Sequence, residues 1–94
     1  MNKAIFENVI AELKYEFDTH TFIKKFLSMY EKEYVELLYS HINSKNGIFR
    51  TSHAQIGKYL ARHSDLLNIQ KNEKIESENI KNYESENQNW RKVL

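Results

Sequence analysis

Apolar residues recur every three or four positions from the start of the chain. Ile5, Phe6, Val9, Ile10, Leu13 and Phe17 form one stripe between Lys3 and Phe17, the spacing of an amphipathic helix. Asp18 and Thr19 then read as a stop and restart, because Asp is a good N-cap for a following helix. From Thr21 the stripe resumes at Phe22, Ile23, Phe26, Leu27, Tyr30, Tyr34, Val35, Leu37, Leu38 and Ile42, with Glu31, Lys32, Glu33 and Glu36 opposite. This second helix could run to Asn43 or Ser44, where Asn46-Gly47 offers left-handed residues that end one. About 26 helical residues would span about 39 Å, more than the roughly 32 Å expected across a compact chain of this size. Either the helix breaks near Ser28–Glu31, which is the favoured expectation, or its end projects to meet a partner.

Beyond Gly47 the pattern shortens. Ser52-His53-Ala54-Gln55 has the form of a capping box, opening a short helix with Ile56, Tyr59 and Leu60 inward. Ser64-Asp65 is a second cap signal, followed by Leu66, Leu67 and Ile69. Asn68 to Tyr83 holds two short alternating runs around Asn72-Glu73-Lys74, compatible with a small hairpin or with a polar helix. A near-repeat follows, Glu76-Ser77-Glu78-Asn79 and Glu84-Ser85-Glu86-Asn87, read as compositional bias. Trp90 and Val93-Leu94 are expected to pin this polar tail to the body.

The chain has 94 residues, enough for one domain, and its lack of proline and two glycines favour long helices. The expected class is mainly α: a small helical domain, residues 1–94, with room for a short C-terminal β-hairpin. Its expected parts are a two-helix core and dimer scaffold over 1–48, a basic helical unit over 49–75 and a polar tail over 76–94. Nine of the twelve aromatics precede residue 50, so the first two helices should supply most of the core.

Composition excludes several chemistries. With no cysteine there is no disulfide framework, thiol catalysis or Cys-based zinc site. His20, His41, His53 and His63 are 21, 12 and 10 positions apart, without the i, i+4 spacing of a helical metal pair. His63-Ser64-Asp65 holds the residue types of a hydrolytic triad, but a triad converges from separate elements rather than from neighbours. Neither an enzyme, a metal nor a cofactor is expected. The N-terminus lacks the apolar run of a secretory signal or membrane span, so a cytoplasmic protein without membrane contact is expected.

Net charge is only +1, but it is unevenly spread. Residues 49–74 carry five basic groups against two acidic, whereas the segments before and after each carry one more acid than base. Within Arg50 to Leu67, the order Ile56, Gly57, Leu60 resembles a helix-turn-helix of the bacterial regulator type, with Leu67 turned inward from a second helix. The sequence departs from that pattern at Ala61, where glycine is usual, and at Arg62, where an apolar residue is usual. A hairpin after Asn68 would extend the resemblance to winged-helix domains. The resemblance implies binding to double-stranded DNA by a small regulator. Arg50, Lys58, Arg62, Lys71 and Lys74 would then neutralise phosphates, and Ser52 would face a phosphate at a helix N-terminus. Ser64, Asn68 and Gln70 would reach base edges, and Gln55 completes the candidate surface.

One short module with about five phosphate contacts binds weakly alone, so a homodimer through Tyr30, Tyr34, Leu38 and Ile42 is expected. The alternative is a protein-binding module: a phage- or plasmid-encoded inhibitor, or a partner of a toxin or nuclease. Small size, near-zero charge and the acidic, Asn-rich end of the chain motivate it.

Overall fold

Asn2 opens the first helix by accepting a hydrogen bond from the Ala4 amide at 2.8 Å, and α1 runs Lys3–Ala11. Its stripe buries Phe6, Val9 and Ile10. A short strand, β1 (Glu16–Asp18), follows and ends on the anticipated cap: the Thr21 amide donates to Asp18 Oδ1 at 2.7 Å, starting α2 (Thr19–Met29). The computed structural model describes residues 1–93; Leu94, and with it part of the expected C-terminal anchor, lies outside the described residues.

The long apolar stripe is divided at Tyr30, whose ψ of 57° ends α2 and precedes α3 (Glu31–Ser40). Neither proline nor glycine is involved. In one continuous helix, residues 26 and 34 would lie about 12 Å apart along the axis. Instead their rings meet edge-to-face with centroids at 6.0 Å, and Tyr34 is buried. The break turns Tyr34 back into the core.

Gly47, at φ +97°, begins α4 (Ile48–Arg62) rather than ending the helix before it. Ser52 therefore lies inside α4, fully buried, and the expected capping box is not formed. His63 caps α4, and residues 63–68 form turns instead of a second short helix, closed by Ile69 N–H donating to Ser64 O at 3.0 Å. The spacing explains it: Leu67 and Ile69 are both buried, two positions apart, which suits an extended chain and not a helix.

The rest is sheet. β2 (Ile69–Glu78) and β3 (Glu84–Lys92) form an antiparallel hairpin, and β1 pairs antiparallel with the far edge of β3, in the order β1-β3-β2. This overturns the mainly α expectation. With 48% helix and 24% strand, the fold is α+β. The polar helix considered for this segment would have had no apolar face to bury. The hairpin needs only its base to be apolar: Phe17, Trp90 and Lys71 stand in one cross-strand row, and Phe17 and Trp90 are buried. Trp90 Nε1–H donates to Thr19 Oγ1 at 3.0 Å, which fastens β3 to the start of α2. Residues 76–92 are thus no tail, since β3 is the middle strand. The near-repeat is its two strands facing each other, with Glu76 opposite Glu86, Ser77 opposite Ser85 and Glu78 opposite Glu84.

The core lies between the helices and the base of the sheet, centred on Phe6, Phe22, Phe26, Ile56, Leu60 and Trp90. Among the described residues no helix is long and apolar enough to cross a membrane.

Candidate nucleic-acid interface

α4 is amphipathic, and its inner side is Ser52, Ile56 and Leu60. At 100° per residue, Arg50, Lys58 and Arg62 fall in an arc of roughly 120° on the side away from Ile56. All three are exposed, as are Ala54 and Gln55. Gln55 is held in place across the connection from α3: its Oε1 lies 2.6 Å from His41 Nε2, whose N–H can donate to it, leaving the Gln55 amide hydrogens free.

Two more cations reach this face from the sheet. Residues three apart in a regular strand point to opposite sides. Between Lys71 and Lys74, however, the ladder shifts: Lys71 faces Trp90 and Lys74 faces Gln88, so three steps on β2 match two on β3. Lys74 sits at this bulge on the edge strand β2, beside Lys71. Both border a groove of about 350 Å³ with Lys58, floored by the small residues Ala54, Gly57 and Ala61. Gly57 leaves its space open: a Cβ there would meet Thr19 Cγ2 at an ordinary 3.9 Å. Three lysines and one carboxylate, Glu86, border the groove. Both ion pairs among the described residues, Lys3–Glu7 and Lys32–Glu36, lie elsewhere, so none of these lysines is held in an ion pair.

Of the ten residues read from the sequence, six lie on these surfaces: Lys58, Lys71 and Lys74 border the groove, Arg50 and Gln55 line a neighbouring depression with Lys58, and Arg62 is exposed on α4. Four do not. Ser52 is buried inside α4, and its hydroxyl lacks a hydrogen-bond partner, so it offers nothing to a phosphate. Ser64 sits half-buried in the turn after α4. Asn68 turns the chain into β2 with φ 55° and accepts from Val93 N–H at 2.8 Å. Gln70 stands opposite Arg91 on β2, one position from Lys71 and hence on the other face of the sheet. The expectation for these last three rests on a second helix that the chain does not form.

Some groups near α4 had no signal in the sequence. His53 stacks on Tyr34, and Tyr34 O–H lies 2.7 Å from His53 Nε2. Burial, reinforced by the positive charge of His20 and Lys81, pushes the His53 pKa down to about 4, and burial pushes Tyr34 up to about 12. A neutral imidazole accepting from the phenol fits both. His20, from α2, joins the hairpin's strands: its Nδ1 is 3.0 Å from Ser77 Oγ and 3.1 Å from Ser77 O. The Asn79 side chain shapes the hairpin turn by accepting from the Lys81 and Tyr83 amides, and this brings Lys81 beside Phe49. Only the folded hairpin, with its turn at 79–83, brings these residues together.

The surface is not basic throughout. The paired Glu76, Glu78, Glu84 and Glu86 make the outer part of the hairpin acidic on the face that Lys74 and Gln88 share. Tyr34, expected in a dimer face, belongs to the core, whereas Val35, Tyr39 and Ile42 are 57%, 72% and 53% exposed. Among the described residues there is no group of three or more His, Cys, Asp or Glu placed to hold a metal ion. No family model, curated protein or solved structure matches the chain.

Proposed function

We propose that the protein is a cytoplasmic, non-enzymatic regulator that binds double-stranded DNA in the manner of a winged helix, with α4 laid along the duplex and the β2–β3 hairpin beside it as the wing. One observation carries the reading: Lys58 of α4 and Lys71 and Lys74 of β2 border one groove. Aligned cations over a floor of small side chains suit a phosphodiester strand, which needs charge and close approach more than hydrogen-bond variety. Arg50, Lys58, Arg62, Lys71 and Lys74 would hold phosphates, and Gln55, with its free amide hydrogens, is the residue suited to an adenine edge.

The test is binding to duplex DNA of random sequence by fluorescence anisotropy at about 50 and 200 mM salt. Four or five phosphate contacts predict a loss of roughly 150–500-fold in affinity over that range. A Lys58→Glu, Arg62→Glu variant should bind more weakly and show a flatter salt dependence. A folded protein that fails to bind at the lower salt would end this reading.

A protein-binding module remains the second reading, favoured by the acidic hairpin and by the exposed Val35, Tyr39 and Ile42 on α3. Acid facing outward repels DNA but suits a basic protein surface, and exposed aromatics are common at interfaces.

A further inference from the structure

A cavity of about 560 Å³ opens where the start of α2, the first half of α4 and the hairpin turn converge. Its size is that of small-molecule sites. Arg50 and His53 enter it from α4, and Lys81 enters from the turn. Tyr34 O–H lies 2.7 Å from His53 Nε2; when the phenol donates there, the neutral ring carries its proton on Nδ1, which has no protein partner among the described residues. His20 also borders the cavity, but its Nδ1 is engaged by Ser77, and Ser85 Oγ is 3.4 Å from its Nε2. Glu86 is the one carboxylate bordering the space, set against Arg50 and Lys81. Phe49 and Ile80 provide apolar walls, and Lys81 Nζ lies 5.3 Å from the centre of the Phe49 ring.

We propose that this cavity binds a small phosphate monoester with a flat apolar body, its phosphate held by Arg50, Lys81 and the Nδ1–H of His53. Donors converging from two elements match the several oxygens of a phosphate better than the two of a carboxylate. The walls at Phe49 and Ile80 receive the body. Because Lys81 belongs to the hairpin turn and Arg50 to α4, the bound anion would bridge wing and helix. The site differs from the DNA groove in every cation but Arg50, so either can fail without the other.

Adenosine monophosphate and inorganic phosphate would be titrated into the isotope-labelled protein, following the imidazole of His53 and the side chain of Lys81 by NMR. Expected are saturable shifts at both residues, tighter with the nucleotide than with phosphate. Lys81→Met, an exposed change whose spectrum reports its own folding, should weaken nucleotide binding about tenfold or more. The Lys58→Glu, Arg62→Glu variant should keep nucleotide binding while losing DNA. The proposal is overturned if no shifts appear up to about 10 mM nucleotide, or if Lys81→Met binds as the wild type does. It is equally overturned if the shifts spread over Lys58, Arg62 and Lys71 and vanish in the double variant, since that is non-specific anion binding to the basic face.

Discussion

Two polar groups on α4, the half-buried His53 and the buried Ser52, have consequences that their neighbours do not share. The unfolded His53 imidazole takes up a proton near pH 6.5, but the folded one does so only near pH 4, because burial, and then His20 and Lys81, oppose the charge. Between those values the unfolded chain binds more protons, so stability is full above pH 6.5 and falls as the pH drops toward 4. After allowance for the partial exposure of the ring, the loss is on the order of 2 kcal/mol. Urea unfolding at pH 7 and pH 4.5 should show it, and His53→Gln should remove most of the difference between the two. Asp18 acts in a separate window. Its burial favours the neutral acid, but the hydrogen bonds from the Thr21 side chain and amide outweigh this and hold its pKa below 3.8, so its contribution is lost only in stronger acid. Ser52 is simpler. Its hydroxyl is buried without a partner in mid-helix, so Ser52→Ala should stabilise by about 1 kcal/mol through relief of that cost and better helix propensity. Thermal unfolding would show it, and a lower midpoint would mean that the hydroxyl is satisfied in solution.

At the scale of elements, sequence and structure agree where an apolar stripe or a cap acts locally, and part where a distant contact decides. The Asp18 cap and the stripe of α1 are legible because their partners lie within a turn of the chain. The break at Tyr30 falls inside the span Ser28–Glu31 expected from the length of the stripe, but the way it turns the chain is set by the Phe26–Tyr34 contact, and no breaker residue marks it. The hairpin is the least legible element. Its Glu-Ser-Glu runs alternate in size but not in hydrophobicity, so a period of two has no apolar face to announce it, and Ile69 and Trp90 sit far apart in sequence. The legible part of the candidate site is its charge. The groove that gathers Lys58, Lys71 and Lys74 is not, because it depends on the pairing of β2 with β3. The same register sets Glu78 against Glu84 and Glu76 against Glu86, arrangements that cost up to about 1 kcal/mol each. Glu78→Lys would convert one into an attractive pair and should raise the melting temperature; in the DNA reading it should also tighten binding at low salt. A lower melting temperature would show that the carboxylates are partnered in solution.

For the whole molecule, the charges separate: cations along α4 and the near part of β2, carboxylates along the outer hairpin. A duplex contacting α4 would therefore meet attraction from the helix and repulsion from part of the wing, which limits affinity for a single copy. A second copy would offset this, and the exposed Val35, Tyr39 and Ile42, at i, i+4 and i+7 on and just beyond α3, would offer the apolar side for it. Sedimentation equilibrium should find a dimer in the wild type and a monomer in Tyr39→Glu, with DNA affinity falling in the variant. A monomeric wild type would remove the dimer from the DNA reading.

The middle strand of the sheet, β3, is also the last of its strands to be made. As the chain leaves the ribosome, all four helices and both flanking strands emerge before the residue row that joins them. Until residues 84–92 appear, β1 has no partner and the place of Trp90 in the core is empty. The helices can gather early around Phe6, Phe22 and Phe26, since their contacts are closer in sequence, but the groove with Lys71 and Lys74 on its rim cannot exist until the final strand slots between the other two.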